Sequence, residues 1–189
     1  MAMKFSQRSL GLSWVIVQRQ TCMDKLWSPW RTQHVAQWTS TPADEGMSVF
    51  ERIASDEPRD ADNLVLWRGT HCFVVMNLYP YNNGHVLVVP YRRLASYTDL
   101  TAEERAELTG TIDLVMRWTN AALAPDGYNV GINQGEAAGA GIPDHLHVHV
   151  VPRWSSDTNF MPTVAQTKVI PEALRETYDK LLAAAQDIS

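Results

Sequence analysis

Cysteine is nearly missing from this chain: Cys22 and Cys72 are the only two in 189 residues. That excludes a disulfide-built scaffold and a cysteine-rich zinc module, and it fits a reducing, cytoplasmic setting. No apolar run approaches the roughly 20 residues needed to cross a bilayer, so no membrane partner is expected. Positive charge is also short. Lys and Arg number 16 against 21 Asp and Glu, a net charge of −5, which argues against a broad basic face for nucleic acid. An anionic partner would have to be a small molecule gripped by a few local donors. Histidine is scarce as well, with six in the chain, yet half of them stand in strict alternation at His145, His147 and His149.

What is present is ordinary globular material, 45% hydrophobic and 20% charged, enough for one core. Residues 1–22 place Lys4 and Arg8 before a short apolar run, without a small-residue cleavage site. They are expected to be a poorly ordered N-terminal extension, with one domain over 23–189. Trp27 and Trp30, beside Pro29 and Arg31, are expected to anchor the head of that domain, the other reading being the floor of a nucleotide pocket. Residues 39–46 read as loop, Val49, Phe50 and Ile53 as a short amphipathic turn, and 55–62 again as polar loop.

The pattern then becomes β. Residues 63–68 and 72–76 around Gly69-Thr70 form an expected hairpin, and 85–90 a third strand. Thr101 and Glu104 make a capping box for a helix that turns Leu108, Ile112, Val115 and Ala122 inward and ends at Pro125-Asp126-Gly127. Residues 128–133 are a fourth strand, 134–141 a glycine-rich loop, and the histidine stretch a fifth strand. A last helix is expected from Pro171, with Leu174, Tyr178, Leu181 and Ala185 facing in. Strands grouped together, with helices between and after them, give an α+β fold with a mainly antiparallel sheet.

Alternation on a strand would put the three imidazoles on one face and Leu146, Val148 and Val150 in the core. Three such histidines can be zinc ligands. They can also be a nucleophile with its orienting and charge-neutralising neighbours, phosphorus being the natural electrophile. The loop over 135–141 would then supply backbone N–H groups to a phosphate.

His145-Leu146-His147-Val148-His149-Val150-Val151 resembles the signature of the histidine-triad (HIT) family of nucleotide hydrolases and transferases. Residues 77–90, Asn77-Leu78-Tyr79-Pro80-Tyr81-Asn82-Asn83-Gly84-His85 onward, are similar to that family's first substrate-binding hairpin, and the stretch after the triad resembles a bacterial diadenosine-tetraphosphate branch. The resemblance runs from about Met23 to the C-terminus. It implies a sheet with two principal helices, extended across a homodimer, and a nucleotide substrate.

Residue by residue, it implies that His147 is the nucleophile on the α-phosphorus, His149 a phosphate contact and His145 an orienting partner. His85 becomes a second-layer histidine, Asn77 a ribose contact and Gln134 a phosphate contact. Asn133, Gly139 and Gly141 belong to the phosphate-recognising loop. Arg153 and Trp154 would face the distal part of the substrate, while Asp157 and Asn159 pin the loop after the triad.

The expected reaction is cleavage of a dinucleoside polyphosphate, diadenosine tetraphosphate or triphosphate, through a nucleotidyl-histidine intermediate. The alternatives are a phosphorylase (ATP adenylyltransferase), a nucleoside phosphoramidase, and a nucleotide-binding sensor without turnover. Phosphorylase members carry a Gly-Ser pair where this chain has Ala140-Gly141, which favours water as acceptor. No cofactor is required, although a divalent cation could accompany the substrate phosphates. Many bacterial members bind a structural zinc with a C-x-x-C pair, a further histidine and the first triad histidine. The matching positions here are Ser48, Glu51 and Arg93 beside His145, so no structural zinc is expected, and Glu51 and Arg93 should pair instead.

Overall fold

The computed structural model describes residues 46–155, 157–158, 160–161 and 170–188. The expectations for 1–22, Trp27, Trp30 and Asn159 lie outside the described residues. The sheet has five antiparallel strands: β1 Val65–Arg68, β2 Cys72–Met76, β3 Val86–Pro90, β4 Gly127–Ile132 and β5 Val148–Arg153, in the order β1-β2-β3-β5-β4. Its helices are α1 Val49–Ser55, α2 Asp60–Asn63, α3 Ala102–Leu123 and α4 Leu174–Ile188.

One face of the sheet carries the helices. Leu66, Val74, Met76, Val86, Val88, Val148 and Val150 meet Leu108, Val115 and Trp118 of α3 and Tyr178 and Leu181 of α4 in the main core. The opposite face carries Val65, Phe73, Val75, Leu87 and Val89, covered by Phe50 of α1. This division follows from the period of two along each strand, which sends neighbours to opposite sides. Val148 and Val150 therefore pack under the helices while His149 turns to the α1 side. Leu146 joins a separate cluster with Leu94 and Leu100.

Helix α3 opens on the expected capping box, Thr101 Oγ1 accepting from Glu104 N and Glu104 from Thr101 N. Residues 55–62 differ from expectation. Glu57, followed by Pro58, opens a 3-10 turn that runs into α2, and Arg68 ties α2 to α1 by donating to Asp60 and to the Ile53 and Ala54 carbonyls. The hairpin strand begins at Val65, because Leu64 adopts a left-handed conformation. Helix α4 begins at Leu174, three residues later than the proline signal indicated. β5 is also shorter than the histidine alternation implied. It starts at Val148, so only His149 is a strand residue, and His145 and His147 lie in the segment leading into it.

Candidate active site

His149 is fixed from both neighbouring strands, opposite Leu87 of β3 and Gly131 of β4. The other two histidines reach the same face by packing on Phe50, whose ring centroid is 5.3 Å from His145 and 5.2 Å from His147. The His147 and His149 rings are 4.9 Å apart, and His85 lies 5.1 Å from His149. All four imidazoles are buried. The expected row of three thus exists as a cluster of four, although most of it is not on a strand.

The hydrogen-bond partners assign each tautomer, since a carbonyl can only accept and an amide N–H can only donate. His145 Nε2 lies 2.9 Å from the Pro90 carbonyl and must carry the proton. Its Nδ1 then accepts from the Ser48 hydroxyl at 2.6 Å. His147 donates from Nδ1 to the His145 carbonyl at 2.9 Å, which leaves the Nε2 lone pair as the nucleophilic position of that ring. Burial pushes the imidazoles of His145 and His147 below the ordinary histidine value, against the opposing pull of their backbone hydrogen bonds. His147 is therefore neutral near pH 7, the state an attacking nitrogen requires.

A second chain of bonds sets His149. Tyr79 N donates to Asn77 Oδ1, which turns the Asn77 Nδ2 group toward His85 Nδ1 at 3.2 Å. Tyr81 N donates to the same Nδ1 at 3.0 Å. Two donors on one nitrogen place the His85 proton on Nε2, and that N–H donates to His149 Nδ1 at 3.0 Å. His149 consequently carries its proton on Nε2, and Asn133, whose side-chain amide lies 3.3 Å away, must turn its oxygen rather than its NH2 to that atom to bond it, since two donors cannot pair. A neutral nucleophile thus stands beside an imidazole whose outward nitrogen is a donor. That pair can attack an electrophilic phosphorus and hold the oxygen on which charge develops.

The structure gathers His145, His147, His149, His85, Asn77 and Asn133 into one site. It does not bring in every expected residue. Asn77, for which a ribose contact was expected, is in the site with its amide between Tyr79 N and His85 Nδ1. Gln134 accepts from Tyr97 N with its Oε1. Ala138, Gly139 and Ala140 spend their N–H groups on the carbonyls of Glu136 and Gly135, because left-handed Gly135 and Gly139 curl the loop on itself. A cradle from that loop must therefore use the remaining amides, Gly141 among them. Arg153 is bound to Asp157 and Asn129, and Asp157 also accepts from Trp154 N, so the loop is pinned as expected while Arg153 is not left for a substrate. Trp154 lies five residues beyond His149, roughly 16 Å along the strand.

Among the described residues no three His, Cys, Asp or Glu side chains converge as a metal site. At the positions matching the relatives' zinc ligands the donors do not fit a metal. Both His145 nitrogens are engaged, Ser48 caps α1, and the Arg93 guanidinium enters the cluster, pairing with Asp144 and lying 3.5 Å from Glu51. The expected Glu51–Arg93 pair is present.

Residues 58–156, just over half of the chain, match the HIT domain family. The chain belongs to the HIT family. It is 40% identical, over 82% of its length and 80% of the relative's, to the AP-4-A phosphorylase of Mycobacterium tuberculosis (strain ATCC 25618 / H37Rv). It is 35% identical to the bis(5'-adenosyl)-triphosphatase of Saccharomyces cerevisiae (strain ATCC 204508 / S288c), over 48% of this chain and 44% of the relative. Among solved structures, a Zn-bound histidine triad family protein from Mycobacterium smegmatis superposes with a TM-score of 0.60 and 27% identity, covering 74% of this chain and 93% of that one.

Sequence reasoning left two contributors without a role in the site. Tyr81 stood inside the 77–90 hairpin but was not singled out. Ser48 was named only as a lost zinc position, although Ser48-Val49-Phe50-Glu51 is itself a capping box.

Proposed function

We propose that this HIT protein cleaves a dinucleoside polyphosphate, diadenosine tetraphosphate or triphosphate, by covalent catalysis at His147. The observation that carries this is the His147 Nδ1–H bond to the His145 carbonyl, which directs the Nε2 lone pair to the attack. Nε2 forms a bond to the α-phosphorus as the bridging P–O bond breaks, and the electron pair leaves with the departing nucleotide. The Nδ1 bond offsets the positive charge on the ring, and His149 Nε2–H holds a phosphate oxygen. An acceptor then breaks the N–P bond and returns His147 to its starting state. The named activities of the bacterial and yeast relatives support this substrate class.

Water is the acceptor favoured by Ala140-Gly141, and phosphate is the second reading, favoured by the 40% identity to a phosphorylase. Product masses from diadenosine tetraphosphate, with and without inorganic phosphate, separate them: AMP and ATP from water, ADP and ATP from phosphate. A reaction quenched in mild base should yield protein heavier by one nucleotidyl group. Absence of adduct and turnover, with His147→Ala indistinguishable from wild type, would remove the proposal. Cytoplasmic residence is in keeping with the free, buried Cys72. A homodimer is the assembly we propose, because β4 is a sheet edge among the described residues and leaves Val130 46% exposed.

A further inference from the structure

Tyr81 touches both halves of the chain of bonds that ends at His149. Its backbone N–H donates to His85 Nδ1, and its ring lies 4.5 Å from His85 and 5.3 Å from His149. The angle to the His149 plane is 20°, a stacked arrangement, whereas His147 meets the same imidazole edge-on at 68°. An imidazole held only by its Nδ1 bond could rock about its χ2 torsion. A stacked ring and an edge-on ring packed against it restrict that freedom.

The loop that carries Tyr81 is fastened on both flanks. Asn82, 4% exposed, donates to the Pro152 carbonyl at 2.9 Å and to Asp157 at 2.7 Å. Asn83 donates to Glu172 at 3.3 Å and accepts from Thr177 of α4 at 2.9 Å. Gly84 closes the loop at φ +69°, with its α-carbon so near Leu123 that a Cβ would come within 2.5 Å. The Asn82 and Asn83 side chains bond to Pro152, Asp157, Glu172 and Thr177 rather than to the histidines, and these bonds fix the residue beside them.

We propose that Tyr81 is a positioning residue for the phosphate-holding histidine: its N–H directs the His85 proton toward His149, and its stacked ring holds the His149 plane so that Nε2–H points outward. The assignment of that N–H to a phosphate oxygen rests on the reaction proposed above; the proton location and ring stacking do not.

The test therefore has two arms. Nitrogen NMR of the histidine-labelled, unliganded protein should place the proton of both His85 and His149 on Nε2. In Tyr81→Leu, which keeps the backbone N–H and loses the ring, His85 should keep that tautomer while His149 becomes a mixture, an asymmetry that general loosening of the loop would not give. With diadenosine tetraphosphate, Tyr81→Leu should lower kcat by about tenfold or more with KM within about twofold, and Tyr81→Phe should restore most of the rate. A wild-type His149 protonated on Nδ1 overturns the proposal without any variant having to fold. So does Tyr81→Leu with a single His149 tautomer and wild-type kcat. If wild type turns over no dinucleoside polyphosphate but shows the stated tautomers, the substrate reading falls and the positioning role stands.

Discussion

The Ser48 hydroxyl meets His145 Nδ1 at 2.6 Å while the same oxygen accepts the Glu51 N–H that opens α1. One side chain thereby joins the helix covering the α1 face of the sheet to the histidine that orients the nucleophile. Ser48→Ala removes the cap and leaves a buried imidazole nitrogen without its donor. Losing an N-cap costs about 1 kcal/mol and an unsatisfied buried acceptor about 1–3 kcal/mol, so a combined loss of about 2–4 kcal/mol is expected in urea unfolding. A variant as stable as wild type would show that His145 finds another partner.

The same cluster bears on metal content. Both His145 nitrogens are already bonded, and Arg93 brings positive charge to the place where a cation would sit. Structural zinc is therefore expected to be absent from protein purified without a histidine tag, and chelator should leave the melting temperature unchanged. Structural zinc contributes on the order of 10 kcal/mol in small fingers, whereas an exposed ion pair gives about 0–1, so the Glu51–Arg93 pair cannot match its stabilisation. Stoichiometric zinc on elemental analysis, or a marked fall in melting temperature with chelator, would overturn this.

Burial lowers the affinity of His147 and His145 for protons in the folded protein. An unperturbed histidine titrates near pH ~6.5, so the acid limb of kcat/KM should lie below that value. The sign for stability is the same. Above pH ~6.5 the folded and unfolded forms are both neutral and the contribution is complete. As pH falls toward the folded values, the unfolded chain takes up protons that the fold resists, and stability drops. A rate still flat at about pH 4.5, two units below the unperturbed value, would count against His147 as nucleophile. Stability rising between about pH 6.5 and 5 would contradict the burial argument.

The histidines, the capping box at Thr101 and the succession of strands along the chain could be read from local signals, because alternation, caps and turn residues act over a few positions. Where β5 begins could not. His145 turns out of strand geometry because its ring is drawn between Ser48 and Pro90, residues 97 and 55 positions away, and no local pattern encodes that. Tyr81 was missed for a similar reason: its role arises from a stack closed across the sheet. The loop over 135–141 was legible as glycine-rich, but the direction of its N–H groups depends on which glycines turn left-handed, and three of those groups bond within the loop. Trp118 and Thr111, both buried on α3, escaped because the helical face was drawn from its aliphatic residues alone.

Gly131 pairs with His149 across β4 and β5, and paired residues project to the same face. On that face β4 and the residue after it present Asn129, Gly131 and Asn133 in succession, so the position directly across from His149 has no side chain while the Asn133 amide lies 3.3 Å from its Nε2. The backbone of Gly131 is not left-handed, and a Cβ built there meets nothing within 4 Å. The glycine is thus not required by turn geometry or packing; a strand glycine even costs about 0.5–1 kcal/mol relative to alanine. What it leaves is open space on the His149 side of β4. Gly131→Leu should fill that space without harming the fold. The expected result is a melting temperature equal to or above wild type, with KM for diadenosine tetraphosphate raised by roughly tenfold or more, the scale of losing about 1.4 kcal/mol of binding. Gly131→Ala should fall between. A Gly131→Leu variant with wild-type KM would mean that the substrate approaches His149 from another side, and a variant that unfolds would mean that β4 is more tightly covered than its exposure indicates.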